Sequence, residues 1–235
     1  MIATVFAMEF ESAGFRAAQC RRLCVSIWTL GVTGQRSAAA LKRMIESSRP
    51  EIVVSAGFSG ALQPGLEVGT IVIGENFSDP QIVRALRIFP DYQIGPILTV
   101  PDILESSEAK ASAGAGSGAL AGDLESAHLH QVCCEANIPM LSVRTISDTL
   151  EQDLPLPGSV LINPESGRSD PAVIFQYLFR NPAKAAGFAN LVNGARSAQQ
   201  SLASALEKIL PVILKLDRKG ASASGTTNST WIVEG

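Results

Sequence analysis

The chain has 235 residues, which is long enough for a single domain with a sizeable hydrophobic core. It carries 19 Lys and Arg residues against 22 Asp and Glu residues, a net charge of −3, so it lacks the broad cationic surface by which proteins hold nucleic acid. Hydrophobic residues make up 46% of the sequence, yet no apolar run approaches the roughly 20 residues that cross a bilayer, and we expect no membrane span.

The first third of the chain alternates between predicted strands and predicted helices. Short apolar runs predict strands at residues 2–6, 25–30, 52–56 and 70–73. Good helix formers between these runs predict helices at 9–19 and 36–48. The alternation indicates an α/β sheet with helices on both of its faces.

The rest of the chain is less regular before it returns to helices. Residues 76–118 contain four prolines and end in a run of small residues, 109–118, that predicts a flexible loop. Further elements are predicted in chain order as a helix at 123–136, a strand at 139–144, and helices at 171–180 and 183–216. Residues 218–235 are rich in Gly, Ser and Thr, which predicts a flexible tail after a single domain of residues 1–217.

Cysteines and histidines are too few and too poorly spaced to indicate a metal site. Zinc sites favour C-x-x-C pairs or clustered histidines, whereas this chain has Cys20 and Cys24, an adjacent pair at 133–134, and two histidines. We therefore expect reduced thiols, no metal and no other cofactor. The first ten residues lack the basic start and the small-residue cleavage site of a signal peptide, so we expect a cytoplasmic protein.

Two glycine motifs match known signatures only in part. Residues 114–119 read G-x-G-x-x-A, but no apolar strand precedes them, as a dinucleotide-binding fingerprint requires. Residues 57–61 nearly spell the nucleophile elbow G-x-S-x-G, with Asp123 and His128 following in the order that an α/β-hydrolase needs. The fifth position is alanine and a nearby proline breaks the helix that should follow, so a serine hydrolase that uses Ser59 is kept as an alternative only.

Acidic side chains and one arginine follow the predicted strands. Glu11 comes soon after the first strand, Glu125 lies early in a predicted helix, and Arg144 and Asp148 lie at the end of a later strand. Ligands of open α/β sheets bind at the carboxyl ends of strands, so these groups would converge there and suit acid–base chemistry without a metal. The competing interpretation is that the acids are solvated residues at helix starts, where the helix dipole favours them.

Gly57 and Gly60 also have two interpretations. They either form a turn with positive φ, or they let backbone N–H groups approach a sugar or an anion closely. The sequence by itself leaves these two interpretations equal.

Six blocks of the sequence occur in a familiar order and spacing. They are AMEFE at 7–11, RPEI at 49–52, SAGFSGAL at 55–62, LEVGTIVI at 66–73, GDLESA at 122–127 and VRTISD at 143–148. Together they resemble the purine and uridine nucleoside phosphorylase family, particularly the methylthioadenosine/S-adenosylhomocysteine nucleosidases. Segments at 148–155, 166–170 and 178–182, with the long alanine-rich helix, are similar to the shorter hopanoid-associated phosphorylase branch of that family.

The resemblance implies a three-layer α/β/α sandwich around a mixed, partly barrel-like sheet. It also implies an enzyme that cleaves the bond between ribose C1′ and a purine. The substrate would be a small nucleoside such as a 5′-modified adenosine, no cofactor would be needed, and the protein would be a homodimer.

Roles for the charged residues follow from the same resemblance. Asp148 would be the general acid that protonates purine N7, Glu11 would hold and activate the attacking water, and Arg144 would help to position that water. Asp148 must carry a proton to act in this way, and an arginine too close to it would oppose that state. Glu125 would accept hydrogen bonds from the ribose 2′- and 3′-hydroxyls.

The remaining implied contacts are less polar. Leu124 would pack on the sugar, Ile103 and Leu104 would lie near the base, and the segment at 57–60 with Ser147 would lie near the nucleophile and ribose. Phe58 departs from the family pattern, because the nucleosidases have a small hydroxyl residue at that place. No aromatic residue stands at 103 or 104 to stack on the base, so base preference stays open and a larger, more apolar 5′-substituent than methylthio is compatible with the sequence.

The nucleophile is either water or inorganic phosphate. Phosphate needs several cations and backbone donors, and Arg36, Arg84 or Arg87 could supply such cations. Glu11 would repel a dianion but suits a water molecule, so we favour hydrolysis over phosphorolysis. A further alternative is a non-catalytic nucleoside-binding protein in which Phe58 blocks the place of the nucleophile.

Overall fold

The computed structural model describes residues 1–19, 25–32, 34–163 and 169–224. Cys20 and Cys24 lie outside this part, and so do residues 164–168, which include the first three residues of the segment 166–170. So do residues 225–235, and the predicted flexible tail stays a prediction for them. None of the helices in the described ranges is long and apolar enough to cross a membrane.

The described strands form one eight-stranded mixed sheet. In chain order they are β1 (Ile2–Phe6), β2 (Val25–Thr29), β3 (Ile52–Ala61), β4 (Ile71–Gly74), β5 (Gln93–Gly95), β6 (Ile97–Thr99), β7 (Ala121–Asp123) and β8 (Met140–Asp148). The main path runs β2-β1-β3-β8-β4-β5, and β7 joins the end of β3 antiparallel while also pairing with β6. Because β3 and β8 sit in the middle of this path, their residues are buried on both faces.

Helices cover both faces of the sheet. They are α1 (Glu9–Gln19), α2 (Gly34–Ser48), α3 (Pro80–Leu86), α4 (Ser107–Ser117), α5 (Ser126–Glu135), α6 (Gly158–Leu161), α7 (Pro171–Arg180) and α8 (Ala185–Ser224). On one face, α1, α3 and α8 pack on a core that includes Phe15, Val54 and Leu206. On the other, α2 and α5 pack on a core that includes Val53 and Leu129. The adjacent residues Val53 and Val54 of β3 thus point to opposite cores, because side chains alternate between the two faces of a strand. The three-layer arrangement of the predicted fold is confirmed.

The structure excludes the turn interpretation of residues 57–61, because these residues are the second half of β3. They pair in parallel with β8, from Gly57 opposite Arg144 to Gly60 opposite Asp148, with an irregularity in the register between Ser59 and Gly60. Glycine disfavours strands, but hydrogen bonding to a neighbouring strand overrides that local preference. The pairing brings the carboxyl ends of β3 and β8 together.

The predicted flexible loop at 109–118 is also wrong, because most of it belongs to helix α4. The Ser106 hydroxyl caps the first turn by accepting a hydrogen bond from the Ala109 N–H at 3.1 Å. Gly118 ends the helix with a φ of 68°, the left-handed conformation that glycine adopts most easily. The glycines of the partial dinucleotide motif therefore lie within and after a helix that no strand immediately precedes.

Several further boundaries differ from the sequence predictions, and the strand predicted at 139–144 continues as β8 to Asp148. The helix predicted from residue 123 begins at Ser126, because Asp123 is the last residue of β7 and Glu125 occupies the N-cap position. The last helix continues past the predicted end at Leu216 as far as Ser224. The later start of α5 places Glu125 in the turn between β7 and α5.

Candidate active site

A cavity of about 480 Å³ opens at the carboxyl ends of β3 and β8. Ten of the residues that the sequence analysis singled out line it, namely Glu11, Phe58, Ser59, Gly60, Ile103, Leu104, Leu124, Glu125, Ser147 and Asp148. Gly57 and Arg144 border a much smaller adjacent space, and the exposed Arg36 on α2 lines neither. The fold thus brings nearly all of the predicted site residues together.

Glu11 enters the cavity from the first turn of α1 and is almost fully buried. Its carboxylate oxygens accept hydrogen bonds from two backbone N–H groups, those of Phe58 at 2.9 Å and of Met8 at 2.8 Å. Burial raises the pKa of Glu11, although these hydrogen bonds and the charge of Arg144 act in the opposite direction. The result is a fixed carboxylate that can accept a proton.

Asp148 is the last residue of β8 and also lines the cavity. Its Oδ1 accepts a hydrogen bond from the Ser147 hydroxyl at 2.8 Å, and its Oδ2 forms an ion pair with the ammonium of Lys110. A side chain on Gly60 would place a Cβ 3.0 Å from Asp148 Oδ2, so the strand leaves room for the carboxylate.

Lys110 is a cavity-lining cation that the sequence gives no reason to single out. Its side chain is only 1% exposed, and its Nζ donates to the carbonyl oxygens of Thr149 at 3.0 Å and Gln152 at 2.8 Å in addition to the ion pair. These three partners use all three N–H bonds of the ammonium. A lysine within a run of Ala, Gly and Ser gives no local signal of burial, since the burial depends on where α4 packs.

Arg144 does not have the geometry for the water-positioning role that the resemblance implies. Its five N–H donors are all occupied, by Asp123 Oδ2 at 2.7 Å, by the carbonyl oxygens of Ser55 and Val143, and by the hydroxyls of Ser55 and Ser126. It is buried and does not line the main cavity. Its ion-pair partner is Asp123, so the cation beside Asp148 is Lys110 and not Arg144.

The turn between β7 and α5 places Glu125 and Leu124 in the cavity wall. Asp123 anchors this turn by accepting hydrogen bonds from the Thr99 hydroxyl at 2.8 Å and from the Ser126 N–H at 3.2 Å. Glu125 is 8% exposed and lies at the N-cap position of α5, where the helix dipole stabilises a carboxylate. Four acidic residues and one cation of the described chain therefore line the cavity.

An apolar wall continues from these charged groups towards α7 and α8. It is formed by Leu161, Ile162, Ile174, Phe188, Leu191 and Val192. Phe10 and Phe58 also line the cavity, and their rings meet edge to face with 6.2 Å between the ring centroids. The cavity wall therefore combines a few carboxylates with many apolar side chains.

The serine hydrolase alternative lacks its geometry. Ser59 lies within β3 and not at a strand-to-helix elbow, and its buried hydroxyl has no hydrogen-bond partner among the described residues. Asp123 is engaged by Arg144, and the ring of His128 lies against Gly34 on α2. These three residues do not form a triad.

Neither of the two cysteines in the described ranges lines the cavity. Cys133 is buried in α5, which raises the pKa of its thiol to about 12, and Cys134 is exposed. In the described ranges, no group of three or more Asp, Glu, His or Cys side chains has the arrangement of a metal site.

Comparisons with known proteins give one family match. Residues 79–159, which include Lys110, Glu125 and Asp148, match the family model described as the phosphorylase superfamily. No curated protein sequence matches the chain.

Several solved structures share the fold at low sequence identity. A 5′-methylthioadenosine/S-adenosylhomocysteine nucleosidase from Helicobacter pylori matches with a TM-score of 0.66 and 14% identity, covering 89% of this chain and 97% of that one. A putative nucleosidase of the same name from Francisella philomiragia gives 0.66 and 18%, covering 89% and 98%. Futalosine hydrolase of H. pylori gives 0.65 and 14%, covering 89% and 97%. The resemblance to the phosphorylase superfamily and the nucleoside phosphorylase-like fold are thereby confirmed, in agreement with the prediction of an enzyme of the nucleosidase and phosphorylase type.

Proposed function

We propose that the protein cleaves the N-glycosidic bond of a purine nucleoside, a 5′-modified adenosine, with water as the nucleophile. The observation that carries the proposal is the placement of three buried carboxylates, Glu11, Glu125 and Asp148, around one cavity. Structures of nucleosidases with the same fold support the reaction class. The match of the central segment to the phosphorylase superfamily supports it independently.

Each carboxylate has a task in this chemistry. Cleavage passes through an oxocarbenium-like state in which positive charge develops on the ribose, and nearby anions stabilise that charge. Asp148 delivers a proton to purine N7, which makes the base a neutral leaving group. Glu125 accepts hydrogen bonds from the ribose hydroxyls, and Glu11 accepts a proton from the attacking water, a role to which its raised pKa suits it.

The apolar wall supports a hydrophobic 5′-substituent. A ribose bound between Glu125 and Glu11 leaves the wall of Ile174, Phe188 and Leu191 available for the 5′-group. A charged or strongly polar group there would lose its hydration without gaining partners, which disfavours it. We therefore assign an alkylthio or larger hydrocarbon substituent, of the methylthioadenosine or adenosylhopane type, ahead of the amino-acid tail of S-adenosylhomocysteine.

The balance of charge favours water over phosphate. Lys110 is the only cation among the described residues of the cavity wall, and its N–H bonds are used by Asp148 and two carbonyls. The phosphate candidate Arg36 is exposed on α2, away from the wall. A phosphate dianion would meet Glu11 and Glu125 without a free cation to offset them.

A homodimer in the cytoplasm completes the proposal. Both properties come from the sequence and its resemblance, and light scattering on the purified protein tests the first of them. A mass of one chain at all concentrations would contradict the dimer without affecting the proposed reaction.

The deciding experiment measures adenine release by chromatography, with and without inorganic phosphate. The substrates are methylthioadenosine, S-adenosylhomocysteine, adenosine, inosine and a 5′-octylthio analogue. We expect release in buffer alone, fastest for the apolar 5′-substituents and unchanged by phosphate. Release that requires phosphate would establish phosphorolysis, and no release from any substrate would overturn the proposed function.

A non-catalytic nucleoside-binding protein is the second candidate, and Phe58 is the observation that favours it. Phe58 lines the cavity, and its own backbone N–H donates to Glu11. Its ring therefore takes up space next to the expected position of the nucleophile. If this ring blocks water, the wild-type protein binds adenosine analogues without turnover. Phe58→Ser would then gain activity, whereas the proposed enzyme loses or keeps activity on that change.

A further inference from the structure

The only cation among the described residues of the cavity wall is buried against the expected acid. Lys110 is 1% exposed, and the side chain of its partner Asp148 is 11% exposed. A lysine is almost never buried to this degree unless its charge is paired and its donors are used. Here Asp148, Thr149 and Gln152 meet both conditions.

The packing of α4 explains how the lysine reaches this place. Gly114 lies one turn after Lys110, and a Cβ on Gly114 would collide with the carbonyl oxygen of Leu62 at the end of β3. The missing side chain therefore lets the helix approach the strand closely. Gly60 in β3 leaves space for both members of the ion pair. A Cβ on Gly60 would lie 3.7 Å from Lys110 Cε and 3.0 Å from Asp148 Oδ2.

Resting on the function proposed above, we infer that the Lys110–Asp148 ion pair, and not Asp148 alone, is the proton source for the departing base. Lys110 is a positioning residue in this role, since it acts through Asp148. The reaction needs a carboxylic acid at Asp148, and Lys110 Nζ, in direct contact with Oδ2, carries a proton that can be transferred to it.

The proton moves in two steps that balance. Asp148 Oδ2 first takes a proton from Lys110 Nζ, which leaves a carboxylic acid and a neutral amine. The acid then gives that proton to purine N7 while the electron pair of the C1′–N9 bond stays on the base. Glu11 takes the proton lost by the attacking water, and exchange with solvent returns Glu11 and Lys110 to their starting states.

The surroundings of Lys110 suit the neutral amine. An amine retains two N–H bonds, which match the carbonyl oxygens of Thr149 and Gln152, and its lone pair then faces Asp148. Asp153 is a second acidic residue that interacts with Lys110. Its carboxylate accepts a hydrogen bond from the Ser107 N–H at 2.7 Å. Asp153 is exposed, so water screens its effect on the pair.

The test compares two leaving groups on the same sugar. Wild-type protein and Lys110→Met are assayed with methylthioadenosine and with 4-nitrophenyl 5-methylthioribofuranoside, whose nitrophenolate leaves without a proton. We expect Lys110→Met to lower kcat for adenine release by about 100-fold or more, the usual size of a general-acid effect, and to change nitrophenolate release by less than about threefold. Asp148→Asn should show the same difference between the two substrates.

Lys110→Gln provides a second variant in case the methionine variant does not fold, since its amide can still donate to the carbonyls but holds no ionisable proton. Lys42→Met, at an exposed lysine of α2, is the matched control and should leave both rates unchanged. Equal losses with both leaving groups would mean that Lys110 only maintains the structure, and no loss with either would mean that the proton comes from elsewhere. Both outcomes overturn the inference alone, whereas a wild-type protein that releases no adenine overturns the proposed function as well.

Discussion

The Glu11 carboxylate packs against Gly57, where a side chain would leave it no room. A Cβ on Gly57 would lie 3.0 Å from Glu11 Oε1 and 3.6 Å from Oε2. Gly60 has the same relationship to Asp148, at 3.0 Å from Oδ2. Neither glycine has a positive φ, so the interpretation of a left-handed turn is wrong. The backbone N–H that approaches an anion is that of Phe58, and the anion is the protein's own Glu11.

The first prediction concerns these two glycines. Gly57→Ala and Gly60→Ala each push a carboxylate from its place, and because a misplacement of about 1 Å can cost 100-fold, we expect kcat to fall by about 10-fold or more. Gly116→Ala on α4, where nothing lies within 4 Å of the new Cβ, is the control. It should keep full activity and raise the free energy of unfolding by roughly 0.5–1 kcal/mol. Steady-state rates and denaturant unfolding measure both effects, and an unchanged rate in both cavity variants would contradict the placement of the acids.

The second prediction concerns Asp148 and its neighbour. Asp148→Asn cannot deliver a proton, so adenine release should fall by about 100-fold to 10,000-fold. Ser147→Ala removes only the hydrogen bond to Oδ1 and should cost about 10-fold or less. Circular dichroism checks that both variants are folded. Near-normal adenine release by folded Asp148→Asn would end its assignment as the acid.

The third prediction concerns pH and Glu11. Burial raises its folded-state pKa above the ordinary 4.5, so between 4.5 and the raised value the folded protein binds more protons than the unfolded chain. Stability from this group is therefore present below 4.5 and is lost as pH rises through the folded pKa. Glu11→Gln cannot titrate, so the free energy of unfolding of the wild type minus that of the variant should decrease from about pH 5 to about pH 8. Urea unfolding at both values measures this difference, and a constant difference would refute the prediction.

The fourth prediction concerns the contribution of the buried Arg144–Asp123 ion pair to stability. Arg144→Met leaves Asp123 as an unpaired buried charge and should lower the free energy of unfolding by about 3–5 kcal/mol. Replacing both partners, as in Arg144→Met with Asp123→Leu, should recover part of that loss because no buried charge remains. Denaturant unfolding of the two variants decides the matter. If the double variant is less stable than Arg144→Met, the ion pair does not dominate the energetics of this site.

The fifth prediction concerns the apolar wall. Ile174→Trp fills the end of the cavity, so kcat/KM for a 5′-octylthio substrate should fall by about 10-fold or more while that for methylthioadenosine changes little. Val173→Trp, at the preceding exposed position of α7, is the matched control. Equal effects of Ile174→Trp on both substrates would mean that the wall does not receive the 5′-group.

The parts of the fold with strong local patterns could be predicted from the sequence. The bounds of β1, α1 and α7 agree with the structure because each has a clear apolar pattern and a clear stop. The second half of β3 and helix α4 could not, since their glycines and alanines favour turns or loops locally and only packing against β8 and β3 gives them regular structure.

The candidate site divides in the same way. Glu11 and Asp148 lie next to strand ends, so their convergence follows from sheet topology. The ion pair of Arg144 could not be predicted, because its partner Asp123 lies 21 positions away and becomes a neighbour only through the turn after β7. Lys110 was missed because its segment has no apolar face that would mark it as packed.

Helix α4 buries only Lys110 and Gly114 along its length. Its two glycines each disfavour the helix by about 1 kcal/mol, so the segment depends on the ion pair and on the close contact with β3 to stay folded. It should therefore open locally far more often than the strands beside it, and its amide hydrogens should exchange with solvent sooner than those of β3 or β8. A nucleoside held by Asp148 would slow that exchange, so the hydrogen-exchange rate of this one helix reports occupancy of the cavity even for a ligand that is never cleaved.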